Sequence, residues 1–232
     1  MSTQPAAVVQ HDGRRSAAAA RRRRRESEIL AATRALFDAR GVRDAQIEDI
    51  ARAVGINRAI IYRHFSGKEE LFALTLVGYL EELGEQLHAA DSPDTAPEDR
   101  LRSITSTFVD YGLGYPAFVD CALTLMGRPG PELLDEISEG AMYRLGRGIA
   151  TCLSTVTAAI QAGVDTGTFH TTDVDLLANT LYASGLGSLQ LARVGMVVKE
   201  SSPGVPAIAP LSAEQVKEHV IAASVAMAVG AP

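Results

Sequence analysis

The 232-residue chain lacks the features that mark several classes of protein. It contains two cysteines, Cys121 and Cys152, and two thiols with no Cys or His nearby make neither a zinc site nor a disulfide framework. No apolar run reaches the roughly 18 residues that suggest a membrane helix. An arginine cluster near the N-terminus leads into Glu26 and Glu28, not into the apolar stretch of a secretory signal. We therefore expect a cytoplasmic protein with free thiols, no metal and no membrane segment.

Motifs of catalysis are missing as well. The sequence has no P-loop, no G-x-G-x-x-G after a strand, no G-x-S-x-G and no H-E-x-x-H. None of its five histidines has a metal-type partner at close spacing. Catalytic groups can converge from distant positions, so an enzyme is kept as an alternative of a different class. The expectation is that the protein is not an enzyme and uses no cofactor.

What the chain has is helical periodicity along most of its length. Apolar residues recur at helical spacing over residues 26–40, and shorter helices are predicted at about 47–54 and 58–65. A capping box from Ser66 to Glu69 is expected to open a helix of about 67–90. Further helices are predicted at about 97–113, 116–126, 132–163, 173–195 and 213–229. No segment shows sustained strand alternation, and residues 199–211 are expected to form a loop. The predicted fold is all-α with about nine helices.

Residues 26–65 have the layout of a helix-turn-helix, because a four-residue break beginning at Gly55 separates the second and third helices. Any small three-helix bundle would show the same periodicity. Residues 47–71, IEDIARAVGINRAIIYRHFSGKEEL, go further and resemble the TetR family of one-component transcriptional regulators. The matching features are Asp49-Ile50-Ala51, Gly55, Tyr62-Arg63-His64-Phe65 and Ser66-Gly67-Lys68-Glu69-Glu70-Leu71. The strong motif covers about residues 26–75, and the rest of the chain resembles the family only in its helical layout.

Three parts are expected. Residues 1–25 have no helical or strand periodicity and are predicted to be a disordered basic arm. Residues 26–71 are predicted to be a helix-turn-helix DNA-binding domain, and the resemblance implies a ligand-binding and dimerisation domain over residues 72–232. The resemblance also implies a homodimer through the last two helices, which reads a palindromic operator on double-stranded DNA. The family's usual mode is repression that ends when a small effector binds, and activation stays open. A helical interaction module that has lost DNA binding is a further alternative.

The third helix and its neighbours hold the candidate DNA-contacting residues. These are Gln46, Asn57, Arg58, Ala59, Ile60, Tyr62, Arg63, His64 and Lys68. Arg58 can bind guanine O6 and N7, and Ala59 or Ile60 can touch a thymine methyl group. The resemblance gives Tyr62, His64 and Lys68 phosphate contacts. Gln46 departs from the family's usual Thr or Ser, which puts its contact in doubt, while Arg63 and His64 have surface or packing roles as alternatives.

Candidate effector contacts come from aromatic and sulfur-bearing residues of the middle helices, which favour an apolar small molecule. They are Phe108, Tyr111, Tyr115, Phe118, Cys121, Leu125, Met126 and Tyr143. An apolar stripe at helical spacing is also typical of plain core. Small residues crowd the helix predicted at 173–195, including Gly185 and Gly187, and they indicate close helix packing either between subunits or within one.

The net charge of −6 argues at first against a nucleic-acid partner. It is an average over unlike parts, since residues 1–71 carry +5 and residues 72–232 carry −11. Residues 26–71 alone carry −1, so the basic surplus lies in the arm. The arm is either a solvated tail or an extension that follows DNA phosphates or enters a minor groove.

Overall fold

The computed structural model describes the backbone of residues 6–230 and the side chains of residues 16–230. Ten helices and two strands lie in this part of the chain. In order they are α1 (Ala6–Arg40), α2 (Ile47–Val54), α3 (Arg58–His64), α4 (Lys68–Ala90), α5 (Pro97–Gly114), α6 (Pro116–Met126), α7 (Gly130–Glu136), α8 (Glu139–Asp165), α9 (Val174–Val194), β1 (Met196–Ser202), β2 (Val205–Pro210) and α10 (Ala213–Val229). The expected all-α class is confirmed, with one hairpin as the exception.

Helix α1 begins at Ala6, so the prediction of a disordered arm is wrong for residues 6–25. Residues 1–5 lie outside the described chain. Periodicity missed this part because its described side chains, from residue 16 to residue 24, are all exposed and have no core to face. A run of four alanines and the arginines after it are strong helix formers. Arg–Glu pairs four residues apart add to this, with Arg22–Glu26 at 2.9 Å and Arg24–Glu28 at 3.1 Å.

One continuous apolar core joins the first three helices to the rest of the molecule. Phe37 of α1 meets Phe72 of α4 edge to face, with ring centroids 4.9 Å apart. Ile61 and Phe65, which the sequence predicts as core positions of the third helix, are buried. Helix α4 therefore packs against the first helices on one side and against the larger part of the molecule on the other.

The larger part of the molecule packs α4 along α8 and α5 along α10. Two glycines allow α4 and α8 to approach closely. A Cβ on Gly84 would lie 3.2 Å from Thr151, and a Cβ on Gly148 would lie 3.2 Å from Leu80. A second core cluster closes the far end of the molecule, where α5, α8, α9 and α10 meet around Phe169.

Two boundaries differ from the sequence prediction. The expected helix over residues 132–163 is two helices, because Ile137 and Ser138 leave the helical path and the Ser138 hydroxyl caps α8 through the Ala141 N–H. The expected loop over residues 199–211 is largely an antiparallel hairpin in which Val198 faces Ile208. Its prolines are tolerated because each strand of a two-stranded ribbon has a free edge.

No helix within residues 6–230 is long and apolar enough to cross a membrane. Among the side chains of residues 16–230, no three from His, Cys, Asp or Glu lie close enough together to hold a metal ion.

Candidate nucleic-acid interface

The turn between α2 and α3 has the geometry of a helix-turn-helix. Gly55 ends α2 with φ +71°, a left-handed conformation that favours glycine. The Ile56 N–H then bonds the Ala51 carbonyl at 2.9 Å, which closes the end of α2. Asn57 begins α3 as its cap, with Oδ1 accepting the Ala59 N–H at 2.6 Å. Backbone groups at the end of α2 and at the start of α3 are therefore hydrogen-bonded.

Helix α3 has a buried side and a solvent side. Ile61 is buried, Ile60 and His64 are half-buried, and the remaining residues face solvent. Those exposed residues are Arg58, Ala59, Tyr62 and Arg63. The solvent side thus offers two cations, one phenol and one short apolar residue, which are groups that read base edges and bind phosphates.

Arg58 has a partner that the sequence analysis missed. Its Nη1 lies 2.7 Å from Glu48 Oε1 on α2, and its guanidinium carbon lies 5.7 Å from the centroid of the Tyr62 ring. The side chains of Arg58 and Glu48 are both more than half exposed, so the ion pair is worth less than about 1 kcal/mol. Glu48 can therefore orient Arg58 without holding it firmly in place.

The other predicted contacts surround this helix. Gln46 stands at the cap position of α2 with an extended backbone, but its side chain makes no cap hydrogen bond and is exposed. Lys68 is the first residue of α4, and its Nζ lies 5.0 Å from the Phe72 ring centroid. The His64 side chain is only 15% exposed, and its Nδ1 lies 3.5 Å from Glu26 Oε1 on α1. His64 thus packs against α1, which favours the packing alternative for this residue.

Comparison with known proteins agrees with this geometry. The family model described as bacterial regulatory proteins, tetR family, matches residues 29–75, a segment that contains α2, the turn, α3 and the start of α4. The helix-turn-helix segment of this chain matches the TetR family.

Individual transcriptional regulators match part of the chain. The transcriptional activator FasR of Mycolicibacterium smegmatis is 29% identical over 99 residues, which cover 43% of this chain and 45% of FasR. The transcriptional regulator BetI of Brucella suis is 32% identical over 77 residues, which cover 33% of this chain and 39% of BetI. The matches therefore span less than half the length of these relatives.

Solved structures share the fold across most of the chain. The structure of RolR with the ligand resorcinol has a TM-score of 0.65 at 18% identity and covers 90% of both chains. A tetR-family regulatory protein from Rhodococcus RHA1 has a TM-score of 0.61 at 19% identity, covering 88% of this chain and 96% of that one. At these identities the likeness shows the fold of the larger domain and nothing finer.

A buried carboxylate links the end of α3 to the larger part of the molecule. Glu70 of α4 is buried, and its side chain accepts hydrogen bonds from the Ser66 backbone N–H and from the Ser138 hydroxyl at the start of α8. Burial alone would raise the pKa of Glu70, but the bonds from Ser138 and Ser66 outweigh it and hold the pKa below its ordinary 4.5. The predicted Ser66–Glu69 capping box is therefore wrong: Gly67 is the cap residue of α4 and makes no side-chain cap hydrogen bond, and Glu70, not Glu69, accepts the Ser66 N–H.

Further polar contacts surround Glu70. The Ser66 hydroxyl donates to the Glu136 carbonyl at 3.2 Å. Arg128, in the turn after α6, lies 2.7 Å from Glu136 and 3.4 Å from Glu69. We name these residues, with Glu70 and Ser138, the α3–α4 junction. A single sequence does not reveal it, because residues 66–70 contact residues 128–138, which lie far along the chain.

The predicted effector-binding residues do not form one site. Met126 and Tyr143 are half or more exposed at the surface, apart from the buried members of the set. Tyr111, Phe118, Cys121 and Leu125 are buried, and Tyr115 packs partly buried beside them. The Tyr111 ring lies 4.8 Å from that of Tyr115 and 5.4 Å from that of Phe118. These aromatic residues fill one another's space, which is the plain-core alternative.

A cavity of about 40 Å³ lies instead between α4, α5, α8, α9 and α10. Of the predicted residues only Phe108 lines it. Its walls are Leu83, Leu87, Ile104, Thr105, Phe108, Cys152, Leu153, Val156, Ala178, Leu181, Tyr182, Val220 and Ser224. Burial raises the pKa of the Cys152 thiol to about 12, so at neutral pH the thiol is protonated and behaves as an apolar group. Periodicity could not separate this lining from core, because both are apolar stripes.

Proposed function

We propose that the protein is a sequence-specific, DNA-binding transcriptional regulator. The observation that carries this proposal is the exposed side of α3, which presents Arg58, Ala59, Tyr62 and Arg63 beyond a left-handed turn at Gly55. That side chain set lies inside the family-matched segment, and the relatives FasR and BetI are transcriptional regulators by name. A DNA partner also favours a cytoplasmic location, where the chromosome is accessible.

In the proposed complex α3 enters the major groove with its N-terminal end foremost. Arg58 leaves Glu48 and donates two hydrogen bonds to guanine O6 and N7. Ala59 lets the helix lie close to the bases, and Ile60 or Ala59 meets a thymine methyl group. Tyr62 and Lys68 bind backbone phosphates on either side, Lys68 with help from the dipole at the start of α4. Gln46, Asn57, Arg63 and His64 remain proposed contacts at the edge of this surface.

A homodimer would present two such helices to a palindromic operator. The exposed side of α9 supports this proposal, since Ala183 and Gly187 lie at the surface and a Cβ on Gly187 would meet no atom within 4 Å. Gly185 faces inward instead, where Phe108 lies 2.7 Å from the position of an added Cβ. The small residues of α9 therefore divide between packing within the subunit and a face open to a second subunit.

Helix α10 and the hairpin extend that open face. Ala222 and Ala226 are one turn apart on α10, and both are exposed. On the hairpin, the cross-strand neighbours Val198 and Ile208 are 76% and 72% exposed. A lone two-stranded ribbon is marginally stable in water, so we expect its apolar side to be covered in the dimer.

The cavity supports an apolar or aromatic effector, since few polar side chains such as Thr105 and Ser224 interrupt its apolar walls. RolR, which shares the fold, was solved with resorcinol, a small aromatic molecule. A volume of about 40 Å³ holds only a few waters. Any effector larger than that must separate the helices around it.

This expansion gives a mechanism for release from DNA. Leu83 and Leu87 of α4 line the cavity, and Lys68 stands at the other end of the same helix. At 1.5 Å per residue, Lys68 lies roughly 25 Å along the helix from these two leucines. An effector that favours a shifted α4 would favour dimers whose recognition helices no longer match successive major grooves. We propose repression that the effector relieves.

Gel shifts with the DNA upstream of the protein's own gene and then with genomic fragments test this proposal. We expect a sequence-specific shift at low salt, which Arg58→Ala should weaken for the specific site. Arg147→Ala, an exposed arginine on α8, is the matched control and should leave the shift intact. No specific shift with any fragment would support the interaction-module alternative instead. In a promoter–reporter strain, loss of the gene should raise expression, and a fall would indicate activation.

A further inference from the structure

An open groove of about 670 Å³ runs between the middle of α1 and helix α3. We name it the α1–α3 groove. Its lining is Arg21, Arg22, Arg24, Arg25, Glu28, Ile60, Arg63 and His64. Five of these eight residues are arginines and one is a carboxylate, so the groove concentrates positive charge beside the recognition helix.

The charges in the groove are only partly balanced. Glu28 lies 3.1 Å from Arg24 and 3.0 Å from Arg25, and Glu26 lies 2.9 Å from Arg22. Among the side chains of residues 16–230, no carboxylate lies within 4.0 Å of Arg21 or Arg63. These two cations stand on opposite walls of the groove, one on α1 and one on α3. The groove therefore has the charge pattern that binds an anion from outside the subunit.

The helical form of the arm decides which arginines share the groove. At 3.6 residues per turn, residues 21 and 25 lie about 40° apart around the helix axis, and residue 23 lies about 160° or more from both. In agreement, Arg21 and Arg25 line the groove, whereas Arg23 lines a separate surface depression with Leu74. A flexible polycation would use all five consecutive arginines alike, but a helix sorts them by side.

We propose that the α1–α3 groove binds a backbone phosphate of duplex DNA, held between Arg21 and Arg63. The planar guanidinium fork matches the oxygens of a phosphodiester. Arg63 follows Tyr62 on α3, so a phosphate in the groove would belong to the strand that borders the major groove entered by α3. This inference rests on the proposed function and extends it, because it assigns the sequence-independent part of the binding energy to a defined site.

The test measures the salt dependence of binding by the full-length protein. Fluorescence anisotropy with a labelled duplex of arbitrary sequence, at 50 to 200 mM KCl, gives the slope of log K against log salt. We expect Arg21→Ala and Arg63→Ala each to reduce that slope by about 0.9 for every phosphate that the variant no longer neutralises, and to weaken binding equally on all sequences. Arg23→Ala is the matched control, since it removes the same charge from the other side of the same helix, and it should leave the slope unchanged.

Equal reductions of the salt slope by Arg21→Ala, Arg63→Ala and Arg23→Ala would overturn the inference. They would indicate that the arm acts by its total charge alone. Unchanged slopes for Arg21→Ala and Arg63→Ala would overturn it as well. Alanine favours helix, so unaltered far-ultraviolet circular dichroism should accompany each arm variant. Unchanged slopes with intact operator recognition would leave the proposed function standing. The expected slopes with no sequence preference would support the groove and contradict sequence-specific regulation, and no binding of the wild type to any duplex would contradict both.

Discussion

Glu70→Gln tests whether the α3–α4 junction fixes the recognition helix against the larger domain. The side chain keeps its volume, and the amide oxygen can still accept the Ser66 N–H while the amide N–H₂ turns to the Ser138 hydroxyl. The loss is the negative charge that strengthens both bonds. Hydrogen bonds to charged groups contribute about 1.5–3 kcal/mol and those between neutral groups about 0.5–1.5. Part of the difference is offset because a buried charge no longer has to be desolvated, so we expect a loss of about 1–2 kcal/mol.

Urea denaturation at pH 7 measures this loss, with Glu69→Gln as the matched control. The Glu69 carboxylate is partly exposed and lies 3.4 Å from Arg128, so its removal should change stability by less than about 1 kcal/mol. The pKa of Glu70 lies below 4.5 in the folded protein. Its ionised form therefore adds stability above the unfolded pKa, and that stability is lost as the pH falls through the folded pKa. The difference between wild type and Glu70→Gln should shrink below about pH 4.5, and equal effects of the two variants at pH 7 would refute the reasoning.

Three further predictions concern the glycines of α9, Arg58 and Cys152. Gly185→Ala should lower the free energy of unfolding by about 1–3 kcal/mol in thermal denaturation, because its methyl group would lie 2.7 Å from Phe108. Gly187→Ala should leave subunit folding intact, and equal losses would contradict the division of α9 into two faces. Arg58→Ala should cost about 1–3 kcal/mol of discrimination at one base pair per half-site, measured by sequencing selected sites, and an unchanged preferred site would contradict base readout. Iodoacetamide at pH 8 should alkylate Cys152 far more slowly in the native protein than in urea, since its pKa of about 12 leaves almost no thiolate; rapid native labelling would contradict its burial.

The helix-turn-helix could be predicted from sequence because its signals are local. Gly55 marks a left-handed turn, Asn57 marks a cap, and Ile61 and Phe65 mark the buried side of a short helix. Each of these depends on neighbours within a few residues. Apolar periodicity did not predict the helix in the arm, because a helix that faces solvent on all sides has no apolar stripe. The chemistry of each DNA contact remains a prediction from residue type and resemblance.

The larger domain could be predicted only in outline. Its helices follow from periodicity, but the cavity depends on which stripes from five helices leave space between them. Phe108 lines that space while Tyr111, one turn later on the same helix, packs into the solid core. The hairpin was missed because the prolines of β2 indicate a loop when they are considered without the strand that pairs with them. Glu70 was missed because its partner Ser138 is far away in the sequence.

Selection of bound duplexes from a random DNA pool by the full-length protein tests the central claim most directly. The account predicts an enriched palindromic motif whose half-site centres lie about 10 base pairs, or a multiple of that spacing, apart. Arg58→Ala should lose the preference at one position in each half-site and keep the rest of the motif. A pool with no enriched motif after repeated rounds, from protein that binds duplex DNA at low salt, would contradict sequence-specific regulation by this chain.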